Sequence, residues 1–119
     1  MIFSAPSYAE WVKVTSSSES ELYVDFSRIR KKGGYVYFWQ LFDLVQPNKF
    51  GDFSITSYSQ GDCSVFKWKL LTATYYPRPM AGGTGKEQKA LNKDWHYPGP
   101  QTLYEASLDA VCEFAENYL

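Results

Sequence analysis

The sequence is poor in residues that bind metals or carry out redox and nucleophilic chemistry. It contains two cysteines and one histidine, too few for the usual zinc sites. Cys63 and Cys112 are not in the C-x-x-C spacing of thiol oxidoreductases. His96 would have to serve any catalytic triad, and we expect it to have a surface or packing role rather than to bind a ligand or haem iron. These absences predict a chain without metal, cofactor or enzymatic activity.

Strong charge and long apolar runs are also missing. The net charge of −1 argues against bulk binding of nucleic acid, and no apolar run approaches the roughly 20 residues that a membrane helix needs. The glycine-rich segment is not a phosphate loop, because Met80 and Glu87 stand where that motif has Gly and Ser or Thr. Asp25, Asp43 and Asp62 could converge as paired catalytic acids, but turn and edge positions are the simpler interpretation.

Aromatic residues, by contrast, make up 18% of the chain and mark its strands. The segment Asp62–Tyr76 is predicted to be the central strand, with Phe66, Trp68 and Leu70 on one face and lysines between them on the other. Cys63 has the opposite parity from Phe66, so a bulge is expected between them if both face the core.

Segments rich in Ser, Gly, Pro and Asn separate the other strands. These strands are predicted at Trp11–Val14, Leu22–Phe26, Tyr35–Leu44 and Ser54–Ser59, with an edge strand at Lys86–Leu91. A turn is predicted at Arg28–Gly34 and an exposed connection at Pro77–Gly85.

A C-terminal helix is predicted after Pro98-Gly99-Pro100, where Thr102 and Glu105 form a Thr-x-x-Glu capping box. Its apolar stripe consists of Tyr104, Leu108, Val111, Cys112 and Ala115. Cys63 and Cys112 are both predicted to face the core, and no other cysteine exists, so we expect a disulfide between them. The bond would close a loop of about 50 residues and contribute roughly 4 kcal/mol before strain is subtracted.

The first residues resemble the end of an export signal. Ser7-Tyr8-Ala9 has the small-x-small form of a signal-peptidase site. Residues 1–9 are therefore interpreted as the remnant of a signal peptide or a disordered leader, and residues 10–119 as a single domain. An exported chain reaches an oxidising compartment, where a disulfide persists. We expect the periplasm or the cell surface.

Basic residues are confined to the part of the chain that ends at Lys93. Up to that residue there are twelve basic and eight acidic residues, and after it five acidic residues and no basic one. Arg28, Arg30, Lys31 and Lys32 are candidates for binding an acidic glycan or protein surface, although a solvated turn would have the same composition.

The strand at Tyr35–Leu44 is apolar on both faces. Tyr37 and Trp39 lie on one face, Val36 and Phe38 on the other. One helix can cover only one face, so the other must be covered by the curled sheet itself, a second copy of the chain or a ligand. Tyr37 and Trp39 are therefore candidate binding residues, and a homodimer is a candidate assembly.

Several short motifs occur along the chain in an order that is known from one protein family. They are Trp11, Tyr23-Val24-Asp25, Ile29, Tyr37-Phe38-Trp39, Asp62-Cys63, Phe66-Lys67-Trp68-Lys69, Gly85, Trp95, Pro100-Gln101-Thr102 and Cys112. Over about residues 10 to 115 the chain resembles the surface-adhesin protein E family of bacterial exported proteins. Gln101 departs from the Pro-Gly-Ser that the family tends to show there.

The resemblance implies an α+β fold, an antiparallel sheet of about six strands with a C-terminal helix packed on one face and tethered by a disulfide. It also implies adhesion to host matrix and serum proteins, with dimerisation. The function predicted from the sequence is an exported, non-enzymatic binding module that recognises protein or glycan surfaces. The alternative is a periplasmic carrier of a small apolar or haem-like ligand.

Overall fold

The computed structural model describes residues 9–90 and 93–119 and has the α+β fold predicted from the sequence. The strands and the helix of these residues are β1 Val12–Ser16, β2 Ser20–Val24, β3 Arg30–Lys32, β4 Tyr35–Leu44, β5 Ser54–Asp62, β6 Lys67–Tyr76, β7 Lys86–Lys89 and α1 Leu103–Tyr118. All pairs are antiparallel, in the order β1-β2-β4-β5-β6-β7, and β3 also pairs with β4. The leader predicted at residues 1–9 lies outside the described residues except for Ala9, as does Leu91 of the predicted edge strand.

The strand β3 corrects the prediction of a plain turn at Arg28–Gly34. A short 3-10 turn, Phe26–Arg28, is followed by β3, in which Lys32 lies directly opposite Tyr35. The two glycines between them have φ of 61° and 83°, which suits the two-residue hairpin turn that requires positive φ at both positions. All three residues of β3 are charged and exposed, so no apolar alternation marked them as a strand.

The strand β6 begins at Lys67 and not at Asp62, because the chain turns between these two paired residues. The carboxylate of Asp62 accepts hydrogen bonds from the backbone N–H (3.0 Å) and the hydroxyl (2.7 Å) of Ser64, which stabilises the turn. Cys63 is exposed in it, so the prediction that Cys63 faces the core is wrong. Phe66, with φ of 53°, reaches the core from the turn, and no bulge separates it from Cys63.

The core lies between α1 and one face of the sheet. Its buried members are Val24, Ile29, Val36, Phe38, Leu108, Val111 and Ala115. The helix approaches β5 closely at Gly61, where an added Cβ would lie 2.9 Å from Leu108 Cδ1 and 3.0 Å from Val36 Cγ2. Within this interface the hydroxyl of Ser107 donates a 2.6 Å hydrogen bond to Gln40 Oε1. Close packing and one buried polar bridge therefore fix the helix on the sheet.

The helix α1 has the N-cap and the disulfide that the sequence predicts. The hydroxyl of Thr102 accepts from the backbone N–H of Glu105 at 3.2 Å, as the capping-box motif predicts. The carboxylate of Glu105 accepts from the N–H of Gln101, one residue earlier than in a complete box. The disulfide between Cys63 and Cys112 is confirmed, with 5.7 Å between the two Cα atoms.

Candidate functional site

The sheet face that points away from α1 concentrates aromatic, basic and hydroxyl side chains. Val36 and Phe38 pack under α1, so the alternate residues of β4 lie on the opposite face, and directly paired residues share that face. We call this surface the open face. Its main residues are Lys13, Tyr23, Arg30, Lys32, Tyr35, Tyr37, Trp39, Tyr58, Lys67, Lys69, Thr72, Thr74 and Tyr76. The acidic residues Glu21, Asp43 and Asp62 lie on the same face, and Leu41 and Thr56 are buried there.

Five rings on this side of the sheet form what we call the aromatic row, which consists of Tyr35, Tyr37, Trp39, Tyr58 and Trp95. The ring centroids are 4.7 Å apart for Trp39 and Tyr58, 6.2 Å for Tyr37 and Tyr58, and 5.6 Å for Tyr35 and Trp95. These spacings are typical of favourable aromatic pairs. Each ring is half-buried, so the row is fixed by its neighbours and still exposed to a partner.

Cations lie against both ends of the aromatic row. The guanidinium carbon of Arg28 is 5.1 Å from the ring centroid of Trp39. The ammonium groups of Lys67 and Lys69 are each 4.6 Å from the ring of Trp95. All three distances are within the range of cation–π attraction. The aromatic row therefore consists of two ring groups, Tyr37 with Tyr58 and Trp39, and Tyr35 with Trp95, each with one or more cations against it.

A buried carboxylate fixes the position of Arg28. Asp25 is fully buried and accepts from Arg28 Nε at 2.6 Å, from the N–H of Ser27 at 3.1 Å and from the N–H of Glu10 at 3.1 Å. Burial raises the pKa of Asp25, but the hydrogen bonds from Ser27 and Arg28 outweigh it and lower the pKa overall. The ionised carboxylate thus holds the guanidinium beside Trp39.

The sequence predicts six candidate binding residues, which are Arg28, Arg30, Lys31, Lys32, Tyr37 and Trp39. The structure brings five of them to the open face. Arg30 lies directly opposite Tyr37, and Lys32 is on the same face. Lys31, between them, is opposite Val36 and therefore on the side of α1. Participation of these residues in binding stays a prediction.

Four members of the surface were not identified from the sequence. Lys67 and Lys69 had been assigned to the face away from the core, but nothing indicated which residues lie beside them. Tyr58 lies in a strand of alternating Ser and Thr, and its pairing with Trp39 depends on register. The position of Trp95 is fixed by two backbone hydrogen bonds, of 2.7 and 3.0 Å, between its neighbour His96 and Trp68. These contacts join two distant segments of the chain, so no local sequence pattern predicts them.

Open grooves adjoin both faces. On the open face a groove of about 490 Å³ is lined by residues that include Trp11, Arg28, Trp39 and Tyr76. On the helix side, a groove of about 650 Å³ surrounds the disulfide and is lined by basic and acidic side chains as well as apolar ones. A smaller, mainly apolar groove of about 240 Å³ lies beside Tyr104. The ring of Tyr104 stacks on that of Trp68, with 4.5 Å between the ring centroids.

The geometry does not assemble the carboxylate pair that the sequence left open. Asp43 is paired with Ser54 at one end of β5, and Asp62 ends the same strand, which separates them by about 25 Å at roughly 3.3 Å per residue. Asp25 uses its oxygens on the contacts described above. Residues 9–90 and 93–119 contain no group of three or more His, Cys, Asp or Glu side chains placed to hold a metal ion. In the same part of the chain, no helix has the length and apolar character needed to cross a membrane.

Comparisons with known proteins agree with the architecture. The model of the surface-adhesin protein E family matches residues 11–113. A crystal structure of protein E from non-typeable Haemophilus influenzae aligns with a TM-score of 0.66 at 15% identity, covering 98% of this chain and 85% of the other. A second Haemophilus influenzae protein E structure aligns with a TM-score of 0.64 at 14% identity, covering 100% and 98%. Both likenesses concern the fold. No curated protein sequence matches the chain. With nearly its whole length matched by the family model, the chain belongs to the surface-adhesin protein E family.

Proposed function

We propose that this chain is an exported, non-enzymatic binding module that recognises the surfaces of extracellular proteins or glycans through its open face. The family to which it belongs is described as surface-adhesin protein E, which supports an adhesin-like binding role at the cell surface. The observation that carries the proposal is the aromatic row, which is half-buried and flanked by cations on the side of the sheet opposite α1.

The residue types of the open face support this role. Trp, Tyr and Arg are the residues that most often dominate the energy of protein interfaces. Trp39 is already packed against Tyr58 and Arg28, so little side-chain entropy remains to be lost when a partner binds. The basic side chains around the row would steer acidic surfaces toward it.

The alternative, a periplasmic carrier of a small apolar or haem-like ligand, has weaker support. The mainly apolar groove beside Tyr104 has about 240 Å³, less than the roughly 300–1,000 Å³ of most small-molecule sites. The larger groove around the disulfide includes Lys31, Asp109 and Glu113 in its lining, which does not suit an apolar ligand. Surface recognition therefore fits the geometry better.

The homodimer predicted from the sequence would also involve the open face, because a second copy could cover the aromatic row. Static light scattering over a range of protein concentrations tests it. A mass of two chains for the wild type and of one chain for Trp39→Ala supports such a dimer. A mass of one chain for the wild type at every concentration contradicts it.

The proposed function is tested by capture from a mixture of extracellular proteins and glycans on the immobilised, disulfide-bonded chain. Trp39→Ala and Tyr58→Ala should each weaken binding of the captured partner by at least about tenfold, the size typical of an interface hot spot. Phe50→Ala is the matched control, because Phe50 is a highly exposed aromatic residue outside the open face.

Circular dichroism establishes that each variant is folded before binding is compared. Equal binding by wild type and Trp39→Ala, or an equal loss in Phe50→Ala, would contradict recognition through the aromatic row. Saturable one-to-one binding of an apolar probe that Trp39→Ala leaves unchanged would favour the carrier instead.

A further inference from the structure

One end of the open face carries three lysines around a pair of aromatic rings. The ammonium groups of Lys67 and Lys69 both lie against the ring of Trp95. The ring of Tyr35 also contacts Trp95, and Lys32 is paired directly with Tyr35 on the same face. We call these five residues the lysine–tryptophan cluster. It occupies the ends of β3, β4 and β6 that lie away from Trp11.

The charges of this cluster have no ion-pair partner within the described residues. The two ion pairs found there join Lys13 to Glu21 and Arg28 to Asp25. Asp62 is the ladder partner of Lys67. Its carboxylate accepts the hydrogen bonds of Ser64 in the following turn, and these bonds, together with the charge of Lys67, lower the pKa of Asp62. It forms no ion pair with Lys67, so one acidic side chain lies near three lysines. Two ammonium groups held at one ring repel each other, and a bound anion would remove that repulsion.

We propose that the lysine–tryptophan cluster binds the sulfate or carboxylate groups of an acidic polysaccharide whose chain continues along the aromatic row. This inference rests on the proposed function and specifies its ligand class. Tyr35, Tyr37 and Trp39 occur at every second residue of β4, about 6.8 Å apart along the strand. A surface with such a repeat suits a polymer that also repeats.

The remaining polar groups of the row favour a sugar over other polyanions. The hydroxyls of Tyr35, Tyr37 and Tyr58 make no hydrogen bond to any described residue, whereas that of Tyr23 donates to Glu21 at 3.0 Å. They are free to bond sugar hydroxyls and ring oxygens. Single-stranded nucleic acid needs open ring faces for base stacking, but the rings of Tyr37 and Tyr58 stack on each other.

The probes are a sulfated heparin octasaccharide, a carboxylated hyaluronan octasaccharide and a neutral glucan of the same length, measured by titration calorimetry at about 150 mM salt, where exposed charges are screened beyond roughly 8 Å. The sulfated or the carboxylated sugar should bind saturably and the neutral one should not. Lys67→Gln with Lys69→Gln should weaken binding about tenfold or more, because two charge-assisted contacts are lost. Lys67→Arg with Lys69→Arg keeps the charges and should retain binding.

Two controls separate this site from general charge. Lys49→Gln with Lys86→Gln removes the same charge elsewhere and should leave binding unchanged. Lys32→Gln should weaken binding, whereas Lys31→Gln, the adjacent residue on the helix side, should not.

The proposal would be overturned if the Lys67/Lys69 and Lys49/Lys86 double variants lost the same binding affinity, or if polyglutamate or oligothymidine bound as tightly as the acidic sugars. Either result would indicate unspecific binding of polyanions. If no acidic sugar binds but Trp39→Ala still abolishes capture of an extracellular protein, this inference fails and the proposed function stands. If neither sugar binding nor capture depends on the open face, both fail.

Discussion

At the level of single residues, Asp25 has the most defined task. Its buried carboxylate joins the backbone of Glu10 and Ser27 to the guanidinium of Arg28, and Arg28 in turn contacts Trp39. A buried carboxylate is tolerated because its oxygens are satisfied by several donors. The candidate binding surface therefore depends on a residue that no partner can touch.

We predict that Asp25→Asn lowers the free energy of unfolding by about 1–3 kcal/mol at pH 7, because a charge-assisted hydrogen bond to Arg28 is lost. The pKa of Asp25 is lower in the folded chain than its ordinary value of 3.8. Its stabilising contribution is therefore complete above the unfolded pKa and is lost as the pH falls through the folded pKa. Urea unfolding at pH 7 and at pH 3 should show a smaller difference between wild type and variant at the lower pH.

Asp109→Asn provides the control, because Asp109 is an exposed carboxylate on α1. It should change the unfolding free energy by no more than about 0.5 kcal/mol at either pH. A difference between wild type and Asp25→Asn that stays constant from pH 7 to pH 3 would show that the charge of Asp25 is not what stabilises the fold.

Single residues also show where sequence reasoning succeeds and fails. Tyr37 and Trp39 were placed on one face correctly, because strict alternation holds inside a regular strand. Cys63 was placed wrongly, because the segment from Asp62 was interpreted as a strand with a bulge, whereas the chain forms a turn there. Trp95 could not be assigned at all, since its contacts with Lys67 and Lys69 join a loop to a strand far away in the sequence.

At the level of elements, the helix–sheet interface depends on small residues of β5. Gly61 lies beneath Leu108, and Ser57 is 95% buried with a hydroxyl that has no partner in the described structure. Both residues belong to the strand face that α1 approaches. Small side chains at these positions allow the helix to come close to the sheet.

We predict opposite effects for two alanine substitutions in β5. Gly61→Ala should destabilise the fold by about 1–3 kcal/mol, because the added methyl group overlaps Leu108 and Val36 in a packed interface. Ser57→Ala should be neutral or stabilising, because it removes a buried hydroxyl that has no hydrogen-bond partner. Thermal unfolding of both variants measures the difference, and equal destabilisation would contradict the close approach at Gly61.

The disulfide leads to a prediction about α1. Replacing both cysteines, Cys63→Ser with Cys112→Ser, should lower the free energy of unfolding by about 2–4 kcal/mol, since the bond closes a long loop. Backbone amides of α1 should then exchange hydrogen faster, while those of β4 and β5 stay protected. Intact mass before and after reduction verifies the bond in the wild type. Unchanged exchange in α1 would show that apolar packing alone holds the helix.

Elements with a strong apolar pattern could be predicted, and elements without one could not. The predicted bounds Tyr35–Leu44 are those of β4, and α1 follows its capping signal and apolar stripe. The strand β3 had no such pattern, because its residues are exposed on both sides and it contributes no apolar side chain to the core. The start of β6 was misplaced, because Phe66 is apolar and core-facing without being part of the strand.

At the level of the whole molecule, the acidic stripe of α1 and the lysine–tryptophan cluster lie on opposite sides of the sheet. The acidic residues Glu105, Asp109, Glu113 and Glu116 belong to α1, and the basic residues of the cluster lie on the open face. Neither of the two ion pairs among the described residues joins α1 to the sheet. The charge asymmetry of the sequence therefore does not appear as ion pairing between the helix and the sheet in the described residues.

We predict that the chain is retained by a sulfonate cation-exchange resin at pH 7 and low salt, although its net charge is −1. A local basic surface, not the net charge, determines such adsorption. Lys67→Gln with Lys69→Gln should elute at lower salt than Lys49→Gln with Lys86→Gln, since both pairs remove two charges but only the first belongs to the open face. Unretained wild-type protein would contradict a coherent basic surface.

The position of Cys112 has a consequence for biogenesis. It follows every described strand in the chain, so the bond to Cys63 cannot form until all of these strands have been synthesised. In a chain kept reduced, the strands would be present while α1 lacked its covalent link to the sheet.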